Sequence, residues 1–374
     1  MVFVLFLIWR IVDVFVAFVA PRLIPYLGFF AYQKDLASYH LPKIISSLAN
    51  FDGLYYLRIA QRGYQQYEQV FFPFYPFLVR IFSPVFINNY LMSGLFISNL
   101  SFLLGLIIFY KYLLLTMKPF SHLAIIFFLL FPTSFFFGVA YTEGLFFLLI
   151  ILSLYFLKKN RLFFAGFCGF LAALTRVQGV LLIIPFCLEA VRILKNKRKF
   201  WSISLVSITP VLGLLTYMRY LLKTTGDQFY FFHSQTVFGP SRSTKIILLP
   251  QVFYRYLKIF LTSQHNFQYF ISAFEFITFS FALIILILDF IENFKLKIKN
   301  FSLIGLNLFS LANILLPTFT GSFMSIPRFA LLSLSFFVFL GRIKNRLTTL
   351  SLLVLFLIFH IVLLGFFIQG YFVS

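Results

Sequence analysis

Residues 51–76 read FDGLYYLRIAQRGYQQYEQVFFPFYP, a charged and aromatic stretch set between one long apolar run and the next. Its surroundings decide what it means. Of the 374 residues, 61% are hydrophobic and only 11% charged, and the mean hydropathy is +0.97. That is the composition of a polytopic membrane protein and not of a soluble domain. The quoted stretch therefore belongs outside the hydrocarbon, and the apolar runs on either side of it belong inside.

Working outward, and allowing about 20 residues per spanning helix, the apolar runs fall at 2–22, 86–110, 122–138, 141–157, 162–175, 177–194, 200–222, 268–290, 301–318, 327–341 and 348–370. They predict an all-α integral membrane protein of about eleven transmembrane helices, one transmembrane domain over residues 1–374 with short loops. Cys168 and Cys187 both lie in apolar runs and read as small buried hydrophobes, with no disulfide framework or thiolate metal site. No chemistry is drawn from the 59 phenylalanines.

A net charge of +21 would suggest nucleic acid in a soluble protein, but here the positions of the charges matter more than their sum. Alternate loops carry Lys111 and Lys118; Lys158, Lys159 and Arg161; Arg192, Lys195, Lys197, Arg198 and Lys199; Lys295, Lys297 and Lys299; and Arg342, Lys344 and Arg346. The positive-inside rule makes those loops cytoplasmic, and attraction to anionic lipid heads accounts for their charge without a nucleic-acid partner. The N-terminus is then cytoplasmic and residues 23–85 form the first external loop. The opening run is too long for a signal peptide and lacks a small-residue cleavage site, so it reads as a retained helix. Short loops suit a prokaryotic plasma membrane.

The opposite face collects a different set: Asp35, Asp52, Arg58, Arg62, Glu68, Arg80, Glu143, Arg176, Asp227, Arg242 and Arg328. Orientation alone does not require these carboxylates. Within the first loop, FDGLYYLRIAQRGY predicts a short interfacial helix stopped by Gly63. Asp52 sits near its N-terminus, where helix capping is the plain alternative to a chemical role. Leu54, Leu57 and Ile59 would face membrane or protein, with Tyr55, Arg58 and Arg62 on another face. Pro73 and Pro76 should break the helix and return the chain to the bilayer.

Three more places interrupt apolar runs. In LFPTSFFFGVAYTEG, residues 130–144, Pro132 and Gly138 mark a turn and Glu143 lies on the lip of the next helix. In LTRVQG, residues 174–179, Arg176 and Gln178 separate two half-spans, and in GSFMSIPRFALL, residues 321–332, Arg328 opens the penultimate run. Either arginine alone could be a snorkelling anchor. Three charged positions at one depth beside the Asp52 loop describe an outward-facing polar cavity.

These segments together resemble the PIG-V-like mannosyltransferases, a family related to the second mannosyltransferase of GPI-anchor assembly. FDGLYYLRIAQRGY with YEQVFFPFYP is similar to the family's first-loop signature, LFPTSFFFGVAYTEGLF to its proline turn ending in Tyr-Ser/Thr-Glu, LTRVQGVLL to its Thr-Arg-x-Asn-Gly, and SFMSIPRFALL to the Ser-x-x-Arg-aromatic segment of its prokaryotic members. Phe51 stands where tryptophan is usual and Gln178 where asparagine is usual. The resemblance implies a GT-C-like bundle that takes a hexose, most often mannose, from a polyprenyl-phosphate donor, with the acidic residue of the first loop, here Asp52, catalytic.

The chemistry asks for the same residue types. Transfer of a sugar from a lipid phosphate to a hydroxyl of a glycolipid, glycan or protein needs a base for the acceptor proton, and Asp52 suits it. Positive charge is needed for the leaving phosphate, and Arg176 and Arg328, with Arg58 behind them, can supply forked donors. Glu143 is assigned to orienting the acceptor or tuning Asp52, ahead of ligating a metal, and Tyr56, Arg62, Glu68, Tyr141 and Gln178 to substrate binding. No cofactor is indicated, although a divalent cation is compatible with the set. Single displacement implies inversion at the anomeric carbon. A transporter or lipid flippase is the alternative, since spans broken by Pro and Gly also mark substrate pathways. No internal repeat favours it.

Overall fold

The computed structural model describes residues 1–27, 33–116, 121–239, 242–295 and 301–373. Lys118, Lys297 and Lys299 of the basic loops lie outside them. The described residues are helices and connecting turns, with no strand among them. Six helices are long and apolar enough to cross a bilayer: Val2–Leu23, Tyr90–Thr116, Lys197–Thr225, Phe267–Phe294, Phe301–Thr318 and Arg346–Ile368.

The all-α membrane architecture is as expected; the count of eleven spans is not. The remaining apolar runs are short or broken. Run 122–138 is the helix Ser121–Leu130, a turn through Pro132 and the 3-10 turn Ser134–Phe137. Run 177–194 divides into the 3-10 segment Val177–Leu182 and the helix Ile183–Arg192, and run 327–341 into Ile326–Ala330 and Leu334–Leu340. Glu143–Lys158 and Leu162–Thr175 are continuous, but 16 and 14 residues rise only about 24 and 21 Å, short of the roughly 30 Å hydrocarbon core. The physical reason is burial. Residues 131–147 are all buried, including Phe135, Phe136, Phe137 and Phe146. Backbone wrapped in protein can break its helix where backbone facing lipid cannot. Hydropathy reports an apolar environment and does not separate these two kinds.

The first-loop helix forms as Asp52–Arg62 and stops at Gly63, whose φ of 81° favours glycine. It buries Leu54, Leu57 and Ile59. Pro73 and Pro76 do not send the chain straight back: Pro73 starts a further helix, Phe74–Phe82, and Pro76 sits in its first turn, where a missing N–H costs nothing. Between the third and fourth long helices lies an amphipathic helix, Leu249–Thr262, that hydropathy did not mark. Cys168 is buried as expected; Cys187 instead faces outward from its helix.

Because Glu143 opens one helix and Thr175 closes the next, antiparallel one, the basic turn Lys158, Lys159 and Arg161 lies at the opposite end of the bundle from Glu143 and Arg176. For this turn, the charge segregation seen along the sequence is also a segregation in space.

Asp13, His360 and Ser134 have the look of a nucleophilic triad, with Asp13 Oδ1 2.8 Å from His360 Nε2 and His360 Nδ1 3.1 Å from Ser134 Oγ. All three are at most 2% exposed, and Ser134 Oγ donates to Leu129 O while accepting from Trp9 Nε1 at 3.2 Å. The group satisfies its own polar atoms and ties the first helix, the last helix and the 134–137 turn together.

Candidate active site

Two left-handed residues introduce the charged groups. Phe51 has φ 59° and ψ −120°, a conformation costing a non-glycine residue of order 1–3 kcal/mol. It is held there because the Tyr141 hydroxyl donates to Asn50 O at 2.8 Å and accepts from the Asp52 N–H at 3.2 Å. Asn50 in turn donates to Phe367 O at 2.9 Å. Ser325, with φ 67°, opens the Ile326–Ala330 turn that carries Arg328. Its N–H donates to Glu275 Oε1 at 3.1 Å, and Glu275 Oε2 accepts from the Tyr256 hydroxyl at 2.7 Å.

Between these two kinks the charges form a chain. Asp52 Oδ2 accepts from Arg328 Nη1 at 2.7 Å. Arg328 Nε lies 3.3 Å from Glu143 Oε1, which also accepts from Arg176 Nη1. Arg176 Nη1 donates to Thr142 Oγ1 at 3.2 Å. Both carboxylates occupy the first turn of a helix, where the backbone dipole favours negative charge. Phe136 and Tyr141 lie 5.5 Å beneath the Arg328 guanidinium and Phe329 lies 5.1 Å from that of Arg176, so aromatic faces back the cations. Glu143 is wholly buried, whereas the Asp52 side chain keeps 25% of its surface. The one faces protein and the other a cavity.

That cavity, of about 120 Å³, is lined by Asp52, Tyr56, Arg176, Gln178, Arg242 and Arg328 among others. Burial raises the pKa of Tyr56, with Arg176 opposing, so its hydroxyl stays a neutral donor. Arg242 is the residue sequence reasoning left out. It was placed on the right face but given no role, since its loop has no motif around it. The structure brings it half-buried to the cavity, and among the described residues it has no carboxylate partner within salt-bridge distance. Burial and then the neighbouring Arg328 lower its pKa from the usual arginine value, while Asp52 and Glu275 oppose. Three guanidiniums thus meet two carboxylates here, and the balance favours an anion.

Arg242 also lines a second cavity of about 370 Å³, walled mainly by Phe231, Phe232, Ile246, Leu316, Pro317 and Phe319. Val177, Gln178, Gln235 and Phe329 border both spaces. A charged cavity therefore lies beside an apolar one, with these residues and Arg242 as the common wall.

Of the other sequence-derived candidates, Tyr141 supports the Phe51 and Asp52 backbone and does not line the cavity. Arg58 pairs with Asp35, with Nε 2.9 Å from Oδ2, and Arg62 Nη2 with Glu68 Oε1 at 2.9 Å. Glu68 Oε2 also accepts the Gln65 N–H at 2.9 Å, closing the turn after Gly63. Arg58, Arg62 and Glu68 are not on the cavity wall. Among the described residues there is no group of three or more His, Cys, Asp or Glu side chains placed to hold a metal ion.

Gly179, inside the 3-10 segment Val177–Leu182, is where backbones touch: a Cβ there would lie 2.3 Å from Ala173 N and 2.4 Å from Ala172 C. Gly179→Ala should lower stability by about 1–3 kcal/mol, read as a lower midpoint of thermal unfolding in detergent, because neither contact is a side chain that can move aside.

Fold and site together define an all-helical membrane protein with a charged, arginine-rich cavity at one end of its bundle. The family model described as Mannosyltransferase (PIG-V) matches residues 2–193, more than half of the chain, and the protein belongs to that family. It is accordingly a membrane glycosyltransferase of the mannose-transferring kind, with a sugar donor and a glycoconjugate acceptor. No curated protein and no solved structure matches the chain. The match ends at residue 193, so two of the three cavity arginines, Arg242 and Arg328, come from outside the matched residues.

Proposed function

We propose that this protein is a GT-C-type enzyme that transfers mannose from a polyprenyl-phosphate donor to an acceptor hydroxyl, with inversion, at the outer face of the membrane. The observation that carries the reading is that the charged cavity and the apolar one lie side by side, with Arg242 lining both. A lipid phosphate needs both: guanidiniums for its oxygens and an oily slot for its chain. The basic turn Lys158, Lys159 and Arg161 at the far end of the bundle supports the outward orientation.

In the step itself, the acceptor oxygen forms a bond to the anomeric carbon as the bond from that carbon to the phosphate oxygen breaks. The bonding pair leaves with the polyprenyl phosphate, and the hydroxyl proton passes to the Asp52 carboxylate. Arg242 and the cavity faces of Arg176 and Arg328 take up the charge growing on the phosphate. Each such donor contributes about 3–4 kcal/mol where it is preorganised in a dry site. Glu143 holds two of these arginines in place and accepts no proton from the substrate.

The test is transfer in proteoliposomes holding the purified protein, radiolabelled polyprenyl-phosphate mannose and a membrane glycolipid extract. Label should move to the glycolipid fraction, and nucleotide-linked mannose should not replace the donor. Arg242→Ala should raise the donor KM at least tenfold, the signature of a lost ground-state contact. Equal use of a nucleotide sugar would overturn the donor assignment.

A further inference from the structure

Arg242 and Arg328 are joined through one piece of backbone, the turn over residues 319–325. Its first half holds the Arg242 loop. Ser243, next to Arg242, donates its N–H to Thr320 O at 2.8 Å, and Ile247 donates its own to Phe319 O at 2.9 Å. Its second half runs into Ser325, whose φ of 67° opens the Ile326–Ala330 helix bearing Arg328.

Buried backbone groups without a helix or sheet need partners from side chains, and two helices supply most of them here. From Leu249–Thr262, Arg255 Nη1 donates to Gly321 O at 3.0 Å and the Tyr256 hydroxyl accepts the Phe323 N–H at 3.1 Å. From the span Phe267–Phe294, Glu275 Oε1 accepts the Ser325 N–H at 3.1 Å, while Oε2 takes the Tyr256 hydroxyl proton at 2.7 Å. Resting on the transferase reading above, we infer that Glu275, acting with Tyr256, is a positioning residue for sugar transfer: it fixes the Ser325 kink and so sets Arg328 against Arg242 at the separation that one donor phosphate requires.

A carboxylate buried in a spanning helix is costly and marks a function by default. Glu275 is 4% exposed, and it lines neither the charged cavity nor the apolar one, so it acts on the donor through the turn and not by contact. Both of its oxygens serve that turn and its tyrosine. A left-handed serine persists only where its surroundings hold it, and Glu275 is the side chain on its N–H. The Phe323 ring, 4.8 Å from that of Tyr256 and 4.3 Å from that of Phe279, fixes the turn's depth as well. Release of the kink moves Arg328 relative to Asp52, which it meets at 2.7 Å, and a misplacement of about 1 Å can cost on the order of a hundredfold in rate.

The experiment is steady-state transfer in proteoliposomes with polyprenyl-phosphate mannose as the varied donor and the glycolipid extract as acceptor. Glu275→Ala should raise the donor KM about tenfold and lower kcat by about tenfold or more. Glu275→Gln should restore both to within about threefold of the unaltered enzyme, because its amide oxygen accepts the Ser325 N–H and its NH₂ meets the Tyr256 oxygen. Tyr256→Phe keeps the ring against Phe323 and removes only the hydroxyl, and it should raise the donor KM about threefold. A smaller folded fraction lowers the amount of active enzyme without moving KM, so the KM values separate positioning from bulk stability. If Glu275→Ala yields no folded protein, Tyr256→Phe decides alone. An unchanged donor KM in Glu275→Ala and Tyr256→Phe would overturn the inference, and so would a Glu275→Gln variant as impaired as Glu275→Ala, which would make the charge and not the hydrogen bonds the active feature. Either result leaves the transferase reading standing, whereas absence of any transfer by the unaltered enzyme would overturn that reading and this inference with it.

Discussion

Asp52→Asn lowers the rate of mannosyl transfer by about 10²- to 10⁴-fold, the range that general-base catalysis contributes, while donor binding persists. The geometry argues both halves. The amide keeps the shape of the carboxylate and its place at the start of the Asp52–Arg62 helix, but it has no basic oxygen to take the acceptor's proton. Arg328 loses the anionic partner that it holds at 2.7 Å and keeps Glu143 at 3.3 Å, so its charge is freer to meet the donor phosphate and donor affinity does not fall. Single-turnover transfer in proteoliposomes, set beside equilibrium binding of labelled donor, separates the two quantities. Full turnover by the variant would remove Asp52 from the chemistry. Loss of both binding and turnover would make it a structural partner of Arg328 instead.

Asp52 is the first residue of its helix and not its N-cap, which is Phe51. The Phe51–Asp52 junction is held by Tyr141 and Asn50, no side-chain cap is made at the N-cap position, and the carboxylate is turned to Arg328. None of this is visible in a local pattern, because the partners lie 89 and 276 residues away along the chain.

What was legible in the sequence was whatever depends on local chemistry. The Asp52–Arg62 helix and its stop at Gly63 follow from residues within one or two turns of each other. The all-helical membrane class follows from composition, and the gathering of Asp52, Glu143, Arg176 and Arg328 follows from their sitting on one side of alternately charged loops. The number of long helices was not legible, since residues 131–147 are as apolar as a span but owe that character to protein neighbours. Arg242 was not legible either. What sets it apart is the lack, among the described residues, of a carboxylate partner within salt-bridge distance, and that cannot be read before the fold is known. Arg58 and Arg62 drew roles from the first-loop pattern where Arg242 drew none, yet each has an acid beside it, Asp35 and Glu68.

Glu143→Gln should be the most damaging single change to stability in the site. Glu143 is fully buried with Arg176 and Arg328 both against the same oxygen, Oε1. Removing its charge leaves one guanidinium without a carboxylate and the other with Asp52 alone, in surroundings where breaking a buried pair costs about 3–5 kcal/mol. The unfolding midpoint in detergent should fall accordingly, and transfer should fall with it because the two arginines lose their fixed positions. Pairing the change with Arg176→Gln separates the causes. If the cost of Glu143→Gln is uncompensated charge, the double variant regains part of the stability, a coupling measurable as non-additivity between residues in direct contact. It should regain no activity, since the guanidinium intended for the phosphate is gone. Additive losses of stability would mean that the two side chains do not sense each other's charge. Recovery of activity along with stability would mean that Arg176 holds the fold and not the donor.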